Sequence, residues 1–300
     1  MTKKYSLEVE GREIIISNPE KLLWPEAGIS KTVYISCMVE LAPYILPYAK
    51  GRLLTTIRYP DGIHGQSFYQ KSCPEYAPEW VNTAEFNDIS YIILDSVPTL
   101  VWLATQAALE FHVTFNTADN EDNPTYLVFD LDPSKGQTFD EVIEAGLKIH
   151  ETLEALSIKS FAKTSGATGL QVYIPVNGRY DYDRARLINE FFGKYFSQKY
   201  PDLFTIERIV KNRGKKLYFD YLQMWYGKTL AAAYCPRATE KASISMPIDW
   251  DQLPQIKPED FTLLNAGKLL VEHGDRFKGL LETEQNLDSI LERIGAFARS

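Results

Sequence analysis

Hydrophobic positions recur along this 300-residue chain with two periods, and the changes of period mark its elements. Glu13–Ser17 (EIIIS) reads as a short strand, and SNPEKLLWPEAGISK as loop and turn. Ser30 is placed to cap a helix running to about Ala49. Arg52–Arg58 (RLLTTIR) alternates like a strand. YPDGIHG is a turn signal, and Gln66–Lys71 (QSFYQK) follows as the second arm of a hairpin. Pro74 and Pro78 mark a loop. The pattern predicts a strand over Ser90–Leu94, a helix over Thr99–Glu110 and a strand over Phe111–Phe115. After the polar loop TADNEDNP, Tyr126–Phe129 is a short unbroken apolar run, the mark of a buried strand. Thr138–Leu156 carries Val142, Ile143, Leu147, Ile149, Leu153 and Leu156 at helical spacing. Phe161–Thr164 and Leu170–Val176 are strands around the turn SGATG, and Asp181–Tyr200 is a helix. Leu217–Tyr221 and Thr229–Tyr234 read as paired strands. Pro236–Trp250 is mostly irregular. Short helices follow from Lys257, the last over about Leu287–Ala298. The order is irregular, so the expected fold class is α+β, with mixed and antiparallel sheets flanked by helices. With no repeat and no long linker, one domain is expected: an N-terminal part over about 1–95, a core over about 96–256 and C-terminal helices over about 257–300.

Composition narrows the classes. Hydrophobic residues make up 45% and charged residues 24%, the balance of an ordinary globular protein. No apolar run reaches the length of a membrane span, and Leu41–Tyr48 is broken by two prolines. The N-terminus lacks the apolar core of a signal peptide, so a cytoplasmic location is the default. Cys37, Cys73 and Cys235 are far apart and form no C-x-x-C pair, which leaves three free thiols. The net charge of −8 speaks against a globally basic nucleic-acid binder. Charge is local, however: KNRGKK (Lys211–Lys216) packs four cations into six residues, with Arg208 just before.

The chemistry centres on YLVFDLDPSKG (Tyr126–Gly136). Asp130 and Asp132 end an apolar strand, and residues two apart on a strand share a face. Their Cα atoms stand about 6.6 Å apart, two strand rises. That is a spacing from which both carboxylates reach a pair of hard cations. A lone D-x-D is more often a solvated strand end, so the other motifs decide. KTSGATGLQVYIP (Lys163–Pro175) makes a hairpin whose glycine turn offers amides and the Ser165 hydroxyl to an anion, or is a plain β-turn. LYFD (Leu217–Asp220) sets a third acidic residue after an apolar strand. YCPR (Tyr234–Arg237) supplies an arginine suited to phosphate. His112 is expected at a helix-to-strand junction.

Several of these stretches, taken in order, resemble one family: the polymerase/primase domain of bacterial ligase D, the DNA repair enzyme of non-homologous end joining, within the archaeo-eukaryotic primase superfamily. The resemblance is carried by NPEKLLWPEAGISK, RYPDGIHGQSFYQK, LVWLATQAALEFH, LVFDLDP, KTSGATGL-V-IP, FDYLQ and YCPRA followed by P-I-D-W. It implies a template-directed nucleotidyltransferase that fills gaps and extends ends at double-strand breaks. It implies two divalent cations, manganese or magnesium, at Asp130, Asp132 and Asp220, and ribonucleotides favoured among NTP and dNTP substrates. His112, Ser165 and Arg237 match residues that hold the triphosphate, with Arg213 and Thr168 in the same set. Asn18, Lys21 and Lys31 match a pocket for the 5′-phosphate of a downstream strand. Phe68 and Tyr69, with Arg58 nearby, match aromatics that stack on the template. Being adjacent on a strand, these two aromatics face opposite ways, so one is expected to stack and the other to pack in the core. The implied partners are gapped or broken DNA with a 5′-phosphate, a ligase domain and the Ku end-binding protein, in a bacterial, nucleoid-associated setting.

Two positions depart from the family pattern. Thr168 stands where a lysine is usual, and Gln171 where a histidine is usual. Losing a cation there predicts weaker nucleotide affinity, or a substitute in Arg213 or Lys163. Two other readings compete. D-x-D-x-S after an apolar strand also opens haloacid-dehalogenase phosphatases, with Asp130 as nucleophile. A DNA-end-binding and bridging module with degraded catalysis is the other.

Overall fold

Ser30 caps the first long helix: its hydroxyl accepts from the Val33 amide, and the helix (α1) runs Lys31–Ala49 with Pro43 and Pro47 inside it. The computed structural model describes residues 4–297. Their contacts form two units, and the chain passes between them repeatedly. One comprises the chain up to Thr114 with Thr229–Met246 and Pro258–Asp275. The other comprises Phe115–Lys228, Pro247–Lys257 and the chain from Arg276 on. This is a different cut from the consecutive parts read along the sequence, because contacts follow spatial neighbours.

The first passage begins with an antiparallel ribbon, β1 (Lys4–Val9) and β2 (Arg12–Ser17). The stretch expected as loop holds a short hairpin, β3 (Leu22–Trp24) and β4 (Ile29–Ser30). Three- and two-residue strands are too short to show a period, which is why the pattern reads as turn. β5 (Leu54–Arg58) and β6 (Phe68–Gln70) form the expected hairpin. β7 (Thr83–Phe86), not expected, pairs with β8 (Ile89–Ile92).

The helix expected over Thr99–Glu110 is shorter. α2 covers Val97–Thr105, Ala107 adopts a left-handed φ of 56°, and β9 (Ala108–Thr114) follows at once. His112 therefore lies inside a strand, not at a junction. An apolar run buried on both faces looks the same as helix or strand until its pairing is known. Here β9 pairs with β5 on one side.

The second unit carries β10 (Tyr126–Asp132), α3 (Phe139–Ala155), β11 (Phe161–Thr164), β12 (Leu170–Pro175), α4 (Tyr182–Lys199), β13 (Phe204–Thr205) and β14 (Leu217–Phe219). The chain then adds β15 (Thr229–Ala231) to the first unit and β16 (Pro247–Ile248) to the second. The helices α5 (Ala266–His273) and α6 (Asp288–Phe297) end the described chain. Ala298, expected in the last helix, lies outside the described residues.

Two larger sheets result beside the three two-stranded ribbons. The first unit holds a four-stranded antiparallel sheet of order β15-β9-β5-β6. The second holds six strands in the order β13-β14-β10-β12-β11-β16, antiparallel except for β13 with β14. The expected pairing of 217–221 with 229–234 does not occur: β14 joins β10, and β15 joins β9. The nine residues between β14 and β15 hold a 3-10 turn, Tyr221–Gln223, capped by Asp220, in place of a tight hairpin loop.

Phe129, Phe204 and Phe219 of the six-stranded sheet pack with Phe192 and Phe196 of α4 as one aromatic cluster, with Phe129 to Phe219 at 4.9 Å between ring centres. Among the described residues no helix is long and apolar enough to cross a membrane. The three cysteines are free thiols.

The second unit's long helix depends on its cap. The Asp181 carboxylate accepts from the Arg184 amide at 2.8 Å. Asp181→Ala is expected to lower stability by about 1 kcal/mol, read as a shift in urea midpoint with unchanged slope.

Candidate active site

β10 places Asp130 and Asp132 on one face of the six-stranded sheet. Leu131 pairs with Phe219 and Asp132 with Tyr218, so Asp220 falls opposite Asp130, and its amide donates to the Asp130 carbonyl at 2.9 Å. Opposed residues share a face at roughly 4.5–5.5 Å between Cα atoms, so the three acidic residues come together. On the other side of β10, Asp130 is opposite Gln171, which is opposite Lys163 on β11. One face thus carries Asp132, Asp130, Asp220, Gln171 and Lys163.

Burial pushes the Asp130 carboxyl up, and the charges of Asp132 and Asp220 push it further, to about 7. The hydrogen bond from Gln171 Nε2 to Asp130 Oδ1 (3.1 Å) and the charge of Lys163 oppose the rise without cancelling it. Asp220 Oδ1 accepts from the Tyr218 hydroxyl and from the Leu222 and Gln223 amides, at 3.0–3.2 Å. These bonds all end on Oδ1, which leaves Oδ2 for a ligand. Asp132 is exposed at the strand end. As oriented, no three His, Cys, Asp or Glu side chains among the described residues converge tightly enough to hold one metal ion. The donor set still fits a hard cation: three carboxylates on adjacent strands, one raised by its neighbours' charge.

The glycine turn is pressed against the acidic strand. A Cβ on Gly169 would stand 2.5 Å from the Leu131 carbonyl oxygen, between Asp130 and Asp132. The expected anion cradle is partly used up: the Ala167 and Gly169 amides donate to Ser165 Oγ at 3.1 and 2.9 Å. A Ser side chain closing its own turn competes with any ligand for these donors. Thr168 is exposed at the tip. The proposed substitute cations are also engaged. Arg213 donates to the Glu207 and Arg208 carbonyls and lies 3.7 Å over the Tyr218 ring. Lys163 is fully buried.

In the other unit, β9 puts Glu110 and His112 on one face, two residues apart. Glu110 Oε2 meets His112 Nε2 at 2.9 Å and accepts from Arg237 Nε at 3.0 Å, while Oε1 accepts from the Ala238 amide at 3.0 Å. Burial alone would raise this carboxyl. The His112 hydrogen bond, the Arg237 charge and the Ala238 amide overturn that and hold it at about 2. Glu110 was not singled out from the sequence. Reading the stretch as strand, where E-x-H shares a face, would have found it.

Asn18, Lys21 and Lys31 gather around one turn. Asn18 is exposed in a left-handed conformation (φ 51°), and its carbonyl accepts from the Lys21 amide. Lys21 Nζ bonds Asp61 and the Pro60 carbonyl, both at 2.8 Å. Lys31 is buried, with its ammonium on the Ser17 and Thr105 carbonyls. Burial, then the charges of Lys21 and Arg58, push the Lys31 amine down. Phe68 and Tyr69 correct an expectation: both are exposed, at 44% and 72%. β6 is the outer strand of its sheet, so its side chains have a neighbouring strand on one flank only.

A folded-state value near 2 against an ordinary 4.5 means Glu110 contributes at most roughly 3 kcal/mol. The sign follows from the depression: the contribution is complete above about pH 4.5 and is lost as pH falls toward 2. The stability gap between wild type and Glu110→Gln in urea unfolding should therefore narrow in acid; a gap independent of pH would refute the ion network.

Comparison with known proteins places the chain in a family. A family model described as the LigD primase-polymerase domain matches residues 30–277. A Bacillus subtilis (strain 168) protein, bifunctional non-homologous end joining protein LigD, is 36% identical over 92% of this chain and 46% of its own length. The multifunctional non-homologous end joining protein LigD of Mycolicibacterium smegmatis is 27% identical over 87% of this chain and 35% of its own length. The chain thus spans less than half the length of these relatives. A solved structure, the polymerase domain from Mycobacterium tuberculosis ligase D in complex with DNA, superposes with a TM-score of 0.83. It is 26% identical and covers 90% of this chain and 98% of its own. On the family match over residues 30–277, this chain belongs to the LigD primase-polymerase domain family.

Proposed function

We propose that the chain is a template-directed nucleotidyltransferase that adds nucleotides to a primer end at gaps and breaks in DNA. The observation that carries this reading is the convergence of Asp130, Asp132 and Asp220 on one sheet face. Phosphoryl transfer asks a protein mainly to position and neutralise. Asp130, Asp132 and Asp220 would hold two divalent cations, manganese or magnesium, which supply charge neutralisation at the triphosphate and activation of the primer hydroxyl. Gln171 fixes the rotation of the Asp130 carboxylate, and the Tyr221–Gln223 turn fixes that of Asp220. His112 and Arg237, oriented by Glu110, present donors to triphosphate oxygens in this reading, and Ser165, Thr168 and Arg213 belong to the same substrate set. Family membership leaves the phosphatase alternative without support.

Lys21 is the readiest of the 5′-phosphate candidates. Its partner Asp61 is largely exposed, and such surface pairs are worth little, so a phosphate exchanges for it easily. Lys31, already bonded to two carbonyls, shapes the pocket more than it offers charge. The ligase-domain partner rests on relatives named bifunctional and multifunctional. The Ku partner, ribonucleotide preference and bacterial nucleoid setting rest on the family resemblance.

The direct test is extension of a primer across a gapped duplex bearing a downstream 5′-phosphate, with ribo- and deoxyribonucleotides in manganese or magnesium. Extension by wild type that drops to background in Asp130→Ala with Asp132→Ala is expected. Full activity in that double variant sinks the reading, and phosphate-dependent DNA binding without incorporation would favour the end-bridging alternative. In the same assay, Lys21→Ala should weaken the advantage of a 5′-phosphate by roughly tenfold or more, the worth of a charge-assisted contact. Hydroxyl-ended gaps should be affected little.

A further inference from the structure

Tyr76 is exposed to 60%, yet it is held in place. It sits in a turn closed by the Ala77 amide on the Pro74 carbonyl. The Cys73 amide, bonded to the Ser90 carbonyl at 2.7 Å, ties that turn to β8. Its hydroxyl accepts from Arg58 Nη1 at 2.8 Å. Arg58 in turn is fixed by the Gln106 carbonyl (2.9 Å) and by Gln70 Oε1 (3.0 Å), and its guanidinium lies 5.2 Å from the Phe68 ring centre.

The strand register sorts the aromatics. Arg58 is opposite Phe68, and Phe68 shares a face with Gln70 and not with Tyr69. Tyr76, bonded to the guanidinium that Phe68 and Gln70 contact, belongs on the Phe68 side. One side of β6 therefore presents two exposed rings around a fixed cation, and the other presents Tyr69.

We propose that Tyr76 is a third base-stacking side chain, forming with Phe68 and Arg58 a platform for unpaired bases of a DNA strand. Exposed rings of this size, immobilised by hydrogen bonds at a cation, have the make-up of single-strand platforms, where aromatics take the bases and cations the backbone. Lys21, bonded to the Pro60 carbonyl two residues beyond Arg58, adds a second cation to this stretch. The proposal rests on the polymerase reading, which supplies the DNA.

The test is fluorescence anisotropy of a labelled gapped duplex with single-stranded template, against a blunt duplex of equal length. Full-length wild type, Tyr76→Ala and Tyr76→Phe are compared, each checked for an unchanged melting transition. Stacking is worth about 1–3 kcal/mol per base, so Tyr76→Ala should bind the gapped substrate roughly tenfold more weakly and the blunt one unchanged. Tyr76→Phe, which keeps the ring and loses the bond to Arg58, should stay within about twofold of wild type. Equal losses in both variants would overturn the proposal, since the hydroxyl alone would then matter. Wild-type affinity in Tyr76→Ala, or an equal loss on blunt DNA, would overturn it as well. Primer extension is run in parallel: a wild type that binds the gap through Tyr76 without extending it refutes the polymerase reading and leaves the platform standing.

Discussion

Like charges on one sheet face repel, and the second unit's architecture is arranged around holding three of them there. β10 carries two carboxylates and the residue just past β14 the third, so forming the β10–β14 ladder brings the charges together. The cost shows at Asp130, whose carboxyl is raised first by burial and then by its neighbours. What offsets it lies on the opposite side of the strand. Phe129 and Phe219 are fully buried in the aromatic cluster under α4, and their apolar area stabilises the same two strands that carry Asp130 and Asp220. A strand's alternation ties the two effects: the residues that lock the ladder point one way, and those that do chemistry point the other.

The first unit solves a different problem, with the same economy of parts. Glu110 is buried, and a buried carboxylate is tolerated only when its oxygens are satisfied. His112, Arg237 and the Ala238 amide satisfy them. The three bonds set the orientation of both side chains at once, so one carboxylate does the positioning for two phosphate-binding candidates. Tyr234, three residues before Arg237, takes a left-handed φ of 63°, a conformation costly for an aromatic residue. Its hydroxyl donates to Asp275, which also accepts from Tyr48. The strain is thus held by surrounding bonds in the segment that delivers Arg237.

The cations divide by how far they are committed. Lys31, Lys163 and Arg213 are tied to carbonyls, rings or the interior, whereas Lys21 shares its charge with a largely exposed aspartate beside one carbonyl, that of Pro60. Ser165 is committed too, to closing its own turn. Residue type alone would rank these groups as equals. Burial and existing partners rank them by what a ligand must displace.

The sequence by itself determined the local grammar and the family. Ser30 as a helix cap, the helix beginning at Asp181, the glycine turn between two strands, the β5–β6 hairpin and the strand ending in D-x-D follow from short-range chemistry, which is the same in any context. The ordered motifs pointed to the family that the comparisons then showed. Only the tertiary structure decided what depends on partners distant in sequence. It decided that 106–110 belongs to turn and strand because β5 pairs with it, and that 217–221 and 229–234 enter different sheets. It decided that Phe68 and Tyr69 both face outward on an edge, and that Glu110 joins His112 to Arg237 across 127 positions. Hydrogen-bond partners and burial are long-range facts, and a pattern read within a short window carries no record of them.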